Sequence, residues 1–403
     1  MQVIYQIGEF VGLNIGRSPA YYAVSGLNKF GYLKKLVSLN TLESRMKKKI
    51  HVNLSGKMEL YERAKANYTL KSIVTKRHIN ETIIPSLFDI YSAIFEVEEC
   101  DIFHVWNNYG LLSLRKAKKF GVKVVVERAS SYIVYANRLL EEEYSKWGVK
   151  YNSTPKISLY RQIKELLEAD YILVPSEFAR CSFLAYGFPE KKIVKIPFGV
   201  RLADSQRERT SYENHILNQF KKEEKFRVLY TGSLSLRKGV QYLLQAWKEL
   251  SLNNAELILT GHVAPDFKDL FEALTKKISS IRYLGHLPNR EALFELFNYC
   301  SLYVFPSLEE GLAMSMTEAL AGGLPVIATF NSGATELIRD GAEGFIVPIR
   351  DVEAIKKKIL YLYENEEERR KMARNAKLRA KEFTPEKYVN NLVAFYERIL
   401  EDK

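Results

Sequence analysis

Two carboxylates, Glu310 and Glu318, flank seven residues in the stretch Phe305–Pro325. An apolar run ends near Phe305, a polar loop follows, and helical spacing begins near Ser315. The loop carries Glu310 and the helix carries Glu318, so the two can reach one ligand from different elements. Each would accept hydrogen bonds from hydroxyls such as those of a sugar or a ribose. The backbone N–H groups of Gly311, Leu312, Ala313, Met314 and Ser315 lie at the helix start, where free donors and partial positive charge suit a diphosphate. A purely structural account competes. Ser315-Met316-Thr317-Glu318 fits a capping box, in which Glu318 only returns to the Ser315 N–H, and Glu310 beside Glu309 fits a solvated loop charge.

A second loop, Tyr230 to Gly239, places Arg237 and Lys238 just before the helical spacing of Val240–Leu250. A cation pair there can neutralise a diphosphate leaving group as its bond breaks; as an exposed basic turn it would do nothing. His104 ends an apolar run, Ile102–Val105, and is a candidate catalytic histidine or a buried structural one, the structural account being the stronger on the local residues. Glu127-Arg128-Ala129-Ser130-Ser131 follows another apolar run and can position an acceptor hydroxyl. The run Glu141-Glu142-Glu143 reads as a solvated helix face. The other five histidines are scattered, and no spacing suggests a metal site.

The elements that must hold these loops are legible as apolar runs alternating with helical spacing. Strands are expected at Val3–Ile7, Leu33–Leu39, Ile102–Val105, Val122–Val126, Tyr171–Val174 and Ile193–Ile196. A second set is expected at Phe226–Thr231, Glu256–Thr260, Ile281–Leu284, Leu302–Phe305, Pro325–Ala328 and Phe345–Val347. Helices are expected at Ala20–Phe30, Gly110–Phe120, Lys156–Glu168, Glu177–Tyr186 and Arg237–Leu250. Such alternation predicts parallel sheets covered on both faces, hence an α/β chain of two Rossmann-like domains. The charged stretch Asp204–Lys225 sets the boundary near residue 200. Pro385–Leu400 closes the sequence as an amphipathic helix.

At 403 residues, 47% hydrophobic and 27% charged, the composition is that of a globular protein. No apolar run approaches the roughly 18 residues of a membrane-spanning helix, and the start reads as a strand, not a signal peptide. Three widely spaced cysteines argue against a disulfide framework and for a reducing cytoplasm. The net charge of +12, with basic clusters at Lys34-Lys35, Lys47 to Lys49 and Lys116 to Lys119, suits an anionic ligand or peripheral contact with an anionic membrane. No nucleic-acid module accompanies it, so nucleic acid is not an expected partner.

Taken whole, Glu310 to Glu318 resembles the E-x(7)-E signature of glycosyltransferase family 4, of GT-B fold. Pro306-Ser307, Glu310-Gly311, Glu318-Ala319 and Gly323-Leu324-Pro325-Val326 carry the resemblance. It extends to Val174 to Phe178, Ile196 to Val200, Gly285 and Asn331 to Glu336. The resemblance implies a retaining hexosyl transfer from a UDP- or GDP-sugar to a glycan, lipid-linked or other small acceptor, in polysaccharide or glycolipid assembly, with no metal or other cofactor. It implies that residues 1–200 bind the acceptor, residues 201–380 bind the donor, and residues 381–403 cross back to the first domain. Glu310 would contact the transferred sugar, Glu318 the ribose, and Lys238 the diphosphate. Ser233 stands where the family has an arginine, and Arg237 can compensate with two donors. Gly8 to Pro19 looks like the family's glycine loop, with Gly16 toward donor phosphate. Arg17 replaces a second glycine and could meet an anionic acceptor. The family's His-x-His becomes His104-x-Trp106. Two other classes stay open: a nucleotide-sugar epimerase of the same fold, and a non-catalytic interaction protein.

Overall fold

The computed structural model describes residues 1–7, 18–38, 77–200, 220, 224–287 and 290–401. Gly16, Arg17, Lys47 to Lys49 and nearly all of the proposed boundary stretch lie outside the described residues. The strands are β1 Val3–Ile7, β2 Leu33–Ser38, β3 Ile102–Trp106, β4 Lys123–Glu127, β5 Tyr171–Val174, β6 Ile193–Lys195, β7 Phe226–Thr231, β8 Ala255–Thr260, β9 Ile281–Tyr283, β10 Leu302–Phe305, β11 Val326–Thr329 and β12 Gly344–Val347. The α-helices are α1 Pro19–Lys29, α2 Arg77–Phe95, α3 Leu111–Lys119, α4 Ile133–Lys146, α5 Lys156–Glu168, α6 Glu177–Leu184, α7 Val240–Leu250, α8 Lys268–Thr275, α9 Arg290–Phe297, α10 Met314–Ala321, α11 Ala334–Leu337, α12 Val352–Glu364, α13 Glu366–Ala380 and α14 Pro385–Glu401.

The strands form two six-stranded parallel sheets, ordered β2-β1-β3-β4-β5-β6 and β12-β11-β10-β7-β8-β9. Central strands such as β1 and β7 are buried at every position, because helices cover both faces of a parallel sheet. The chain is therefore α/β with two Rossmann-like domains. Each sheet reverses its winding once, between β1 and β3 and between β7 and β10. The crevice at such a reversal, beyond the carboxyl ends of the strands, is where ligands bind in this class of fold. In the second sheet the two loops flanking that crevice are the two that carry Arg237-Lys238 and Glu310.

α14 packs against α1 of the first domain. It buries Tyr388, Val389, Leu392, Val393, Phe395, Tyr396 and Ile399, each contributing about 1.5–3 kcal/mol by leaving water. Gly26 on α1 leaves no room for a side chain, since an added Cβ would lie 2.2 Å from Val389. Two expectations are corrected. The helix expected over Arg237–Leu250 begins only at Val240. Residues Leu236–Lys238 form a 3-10 turn, and Gly239 breaks the path with φ of 67°. The other concerns Glu141 to Glu143, where Glu143 is buried on α4 instead of solvated.

Candidate active site

The loop after β10 folds back across the second sheet. Leu308 N donates to Arg237 O at 3.0 Å, Glu310 N to Asn331 O at 2.9 Å, and Ala313 N to Ser332 O at 3.2 Å. Asn331 Nδ2 donates to Leu308 O at 2.9 Å. These bonds bring the loops after β7, β10 and β11 together. Gly239 permits the approach, because a Cβ there would fall 1.9 Å from Pro306 O. The same loop touches the first domain, where a Cβ on Gly311 would meet Ala129 O at 2.0 Å.

Glu310 forms an ion pair with Lys238 through Oε2, and Arg237 Nη2 lies 3.5 Å from the same oxygen. The Lys238 ammonium sits 5.3 Å from the Phe305 ring centroid. Burial pushes this ammonium well below the ordinary lysine value, Arg237 adds repulsion, and Glu309 opposes both. Two cations therefore converge at the sheet reversal, where an anionic ligand would relieve their mutual repulsion.

Glu309 is buried, so the reading of a solvated acidic pair fails there. Its Oε1 accepts from the hydroxyls of Ser130 and Ser131, the latter at 2.7 Å, and from Ser131 N at 3.2 Å. Arg237 Nη1 donates to Glu309 Oε2 and to its carbonyl, each at 3.0 Å. Although burial raises its carboxyl, Arg237, the two serines and Arg128 together hold it down to about 2. One carboxylate thus joins the first domain's Ser130-Ser131 turn to the second domain's Arg237. No local signal distinguished it from Glu310.

The capping box at Ser315 is not formed. α10 begins at Met314 with Ala313 as its cap residue, which supplies no side-chain bond. Glu318 therefore stands beyond the third helical position from which a box glutamate reaches back, and the Ser315 hydroxyl lies 2.9 Å from Tyr303 Oη. The N–H groups of Met314 and Ser315 head the helix, where a straight α-helix offers them no acceptor. Both residues are half-buried, whereas Gly311, Leu312 and Ala313 are buried.

His104 and Glu127 belong to a buried network under α14. His104 Nε2 lies 2.8 Å from Glu127 Oε2, and its Nδ1 lies 2.6 Å from Tyr396 Oη. Tyr5 stacks on the imidazole with centroids 4.4 Å apart. Tyr5 Oη donates to Glu127 at 3.0 Å and Tyr388 Oη at 3.2 Å. Trp106 Nε1 completes the set by donating to Tyr5 Oη at 2.7 Å. Arg128 turns the other way. Its Nε donates to Ser131 O at 3.0 Å and its Nη1 to Gln162 Oε1 at 2.9 Å, beside the turn that receives Glu309. Sequence reasoning did not single out Glu165. This buried carboxylate accepts from Asn107 Nδ2, Asn108 N and Gly110 N and so shapes the loop after β3. A lone glutamate on a helix gave no sign of that task. Among the described residues no cluster of histidine, cysteine and carboxylate is placed to hold a metal ion.

Residues 212–379 match the family described as Glycosyl transferases group 1. That segment takes in the whole of the second sheet. An uncharacterized glycosyltransferase of Methanocaldococcus jannaschii is 32% identical over 174 residues, 42% of this chain and 48% of that protein. The O-antigen chain mannosyltransferase B of Escherichia coli is 25% identical over 239 residues, 58% of this chain and 62% of that protein. The chain spans about half the length of the curated relatives it matches at the higher identities. Among solved structures, a glycosyltransferase of Rickettsia africae superposes with a TM-score of 0.66 at 18% identity, covering 100% of this chain and 99% of that one. Anabaena HepE in complex with UDP-glucose gives 0.66 at 14% identity, covering 98% and 99%. The matched segment includes both loops at the second sheet's reversal, and the whole chain shares the two-domain GT-B fold of these structures.

Proposed function

We propose that this chain is a retaining glycosyltransferase that moves a hexosyl unit from a UDP- or GDP-sugar to a hydroxyl of a glycan or lipid-linked acceptor. The observation that carries this reading is the convergence of Lys238, Arg237 and Glu310 with the start of α10 at the reversal of the second sheet. A donor diphosphate entering there takes Lys238 and Arg237 as its cations and the Met314 and Ser315 N–H groups as its donors. Lys238 then leaves Glu310, whose carboxylate is released to the hydroxyls of the transferred sugar, while Glu318 serves the ribose. The bond from the anomeric carbon to the diphosphate oxygen breaks as the acceptor oxygen bonds the same face. The acceptor proton passes to the departing diphosphate oxygen, so neither a protein base nor a metal is required. On this reading residues 201–380 bind donor, residues 1–200 bind acceptor with Arg128 at the cleft, and residues 381–403 tie the two. His104 and Glu127 support the fold without touching substrate. Support comes from the E. coli relative, named a mannosyltransferase, and from Anabaena HepE, solved with UDP-glucose.

The test is a thermal-shift screen of UDP-, GDP- and ADP-sugars, followed by turnover with the stabilising donor. Lys238→Ala is expected to lower turnover by roughly 10²–10³ without lowering the melting temperature of the free protein. Turnover near that of the parent would exclude Lys238 as the diphosphate partner.

A further inference from the structure

The outer layer of the first domain presents a surface that donor binding does not use. α2, α3 and α5 pack side by side there. On α2, Ile83 is 48% exposed, Leu87 56%, Ile90 43%, Ile94 58% and Phe95 62%. Steps of four, three and four residues place the first four on one stripe of the helix. From Thr82 to Phe95 the only charged residue is Asp89, which is buried, accepting from Leu112 N, Ser113 N and Ser113 Oγ. Leu112 on α3 and Ile157, Tyr160 and Leu167 on α5 extend the apolar surface. Single exposed leucines are ordinary, whereas a continuous apolar stripe without a polar outer face marks an interaction surface.

Basic residues border the stripe on α3 and α5, whereas the acidic residues Glu96 and Glu98 that follow its C-terminal end are met by Lys34 and Lys35, and Asp170 by Lys118. The solvent-facing ionic residues of α3 and α5 are Arg115, Lys116, Lys118, Lys119, Lys156 and Lys164 against Glu168 alone, and Glu168 is neutralised by Arg115 at 2.6 Å. Residues 39–76, which lead into α2, add nine lysines and arginines against three glutamates. We propose that α2 lies along an anionic lipid bilayer, its stripe entering the headgroup layer and the cations of α3 and α5 resting over lipid phosphates. Charge decides against the other occupants. A second copy docked face to face would set these cations against their own duplicates, and residues 39–76 would bring a further excess of positive charge.

The orientation has a consequence for the acceptor. Helices in parallel crossover units run opposite to the strands, so Ile83, Leu112 and Ile157 lie toward the cleft end of their helices. A bilayer against this face therefore meets the rim of the cleft, within reach of an acceptor anchored in that bilayer. Bilayer binding stands apart from the transfer reading, and the two are measured separately.

The test is co-sedimentation of the full chain with vesicles of equal parts phosphatidylglycerol and phosphatidylcholine, against phosphatidylcholine alone. Pelleting with the anionic vesicles only is expected. Leu87→Ser with Ile94→Ser should weaken it at least tenfold, and Lys119→Gln by about fivefold. Both variants should keep the parent's melting temperature and its donor-induced thermal shift. Failure to pellet with anionic vesicles, or equal pelleting of the parent and the double variant, would overturn the proposal. So would a dimer that the double variant abolishes, or a fall of several degrees in its melting temperature, which would mean that protein covers the stripe.

Discussion

Burial and the neighbouring Arg237 hold the Lys238 ammonium below its ordinary value, and a diphosphate replacing Glu310 as its partner would raise it again. Protonation and donor binding are then linked. Above the pKa of the free site, binding takes up a proton, and donor affinity falls as pH rises. Calorimetry over a series of pH values, in buffers of different ionisation heat, should show proton uptake on donor binding that grows as pH rises and is absent in Lys238→Met; equal uptake in both would remove Lys238 from the linkage. Glu309 gives an opposite dependence. Its carboxyl falls from an ordinary 4.5 to about 2, so its contribution is fully present above about 4.5 and is lost as pH falls toward 2. The shift corresponds to about 3 kcal/mol. Glu309→Gln should flatten the acid limb of stability measured by urea unfolding between about pH 5 and pH 3, and an unchanged limb would count against the clamp. Glu310 and Lys238 were legible in the sequence because each belongs to a spaced pattern. Glu309 was not, because its partners Ser130 and Ser131 lie far away in the chain.

At the level of elements, the strands were legible because a strand buried on both faces is a continuous apolar run. The helices at Arg77–Phe95 and Ile133–Lys146 were harder to see. α2 is apolar inside and out, which blurs its period, and α4 turns Glu143 inward, which a polar–apolar pattern reads as outward. The capping box failed for a related reason: the Ala313 N bond to Ser332 O starts α10 one residue before Ser315. Glu318→Gln thus removes no cap, so it should melt with the parent yet bind donor more weakly. Unchanged donor affinity would end the ribose assignment. Gly239 is a stronger constraint on the β7–α7 turn. An alanine there meets both the left-handed φ of 67° and the contact with Pro306 O, costing about 2 kcal/mol or more. Gly239→Ala should lower the urea midpoint and the donor affinity together, because the same turn presents Lys238.

Across the whole molecule, three carboxylates join the two domains around the cleft, Glu309 and Glu143 buried and Glu336 half-buried. Glu309 reaches from the second domain to Ser130 and Ser131. Glu336 accepts from Glu177 N at 2.8 Å and lies 3.1 Å from Lys195 Nζ. Glu143, in the first domain, accepts from Gln241 Nε2 at 2.9 Å, Tyr242 Oη at 2.7 Å and Arg350 Nε at 2.6 Å. This arrangement was invisible in the sequence, where each glutamate lies within an ordinary polar stretch and its partner lies in the other domain. Arg350 is the only full positive charge among these donors to Glu143, whose carboxylate is shielded from water. Arg350→Met should therefore leave an uncompensated buried charge and cost about 3–5 kcal/mol. The double variant Arg350→Met with Glu143→Gln removes the charge as well as its partner, and should recover most of that loss. Urea unfolding of the three proteins decides the matter. If the single variant unfolds with the parent, the pair does not hold the domains together. If the double variant is no more stable than the single one, the loss comes from the packing of the arginine stem and not from an unpaired carboxylate.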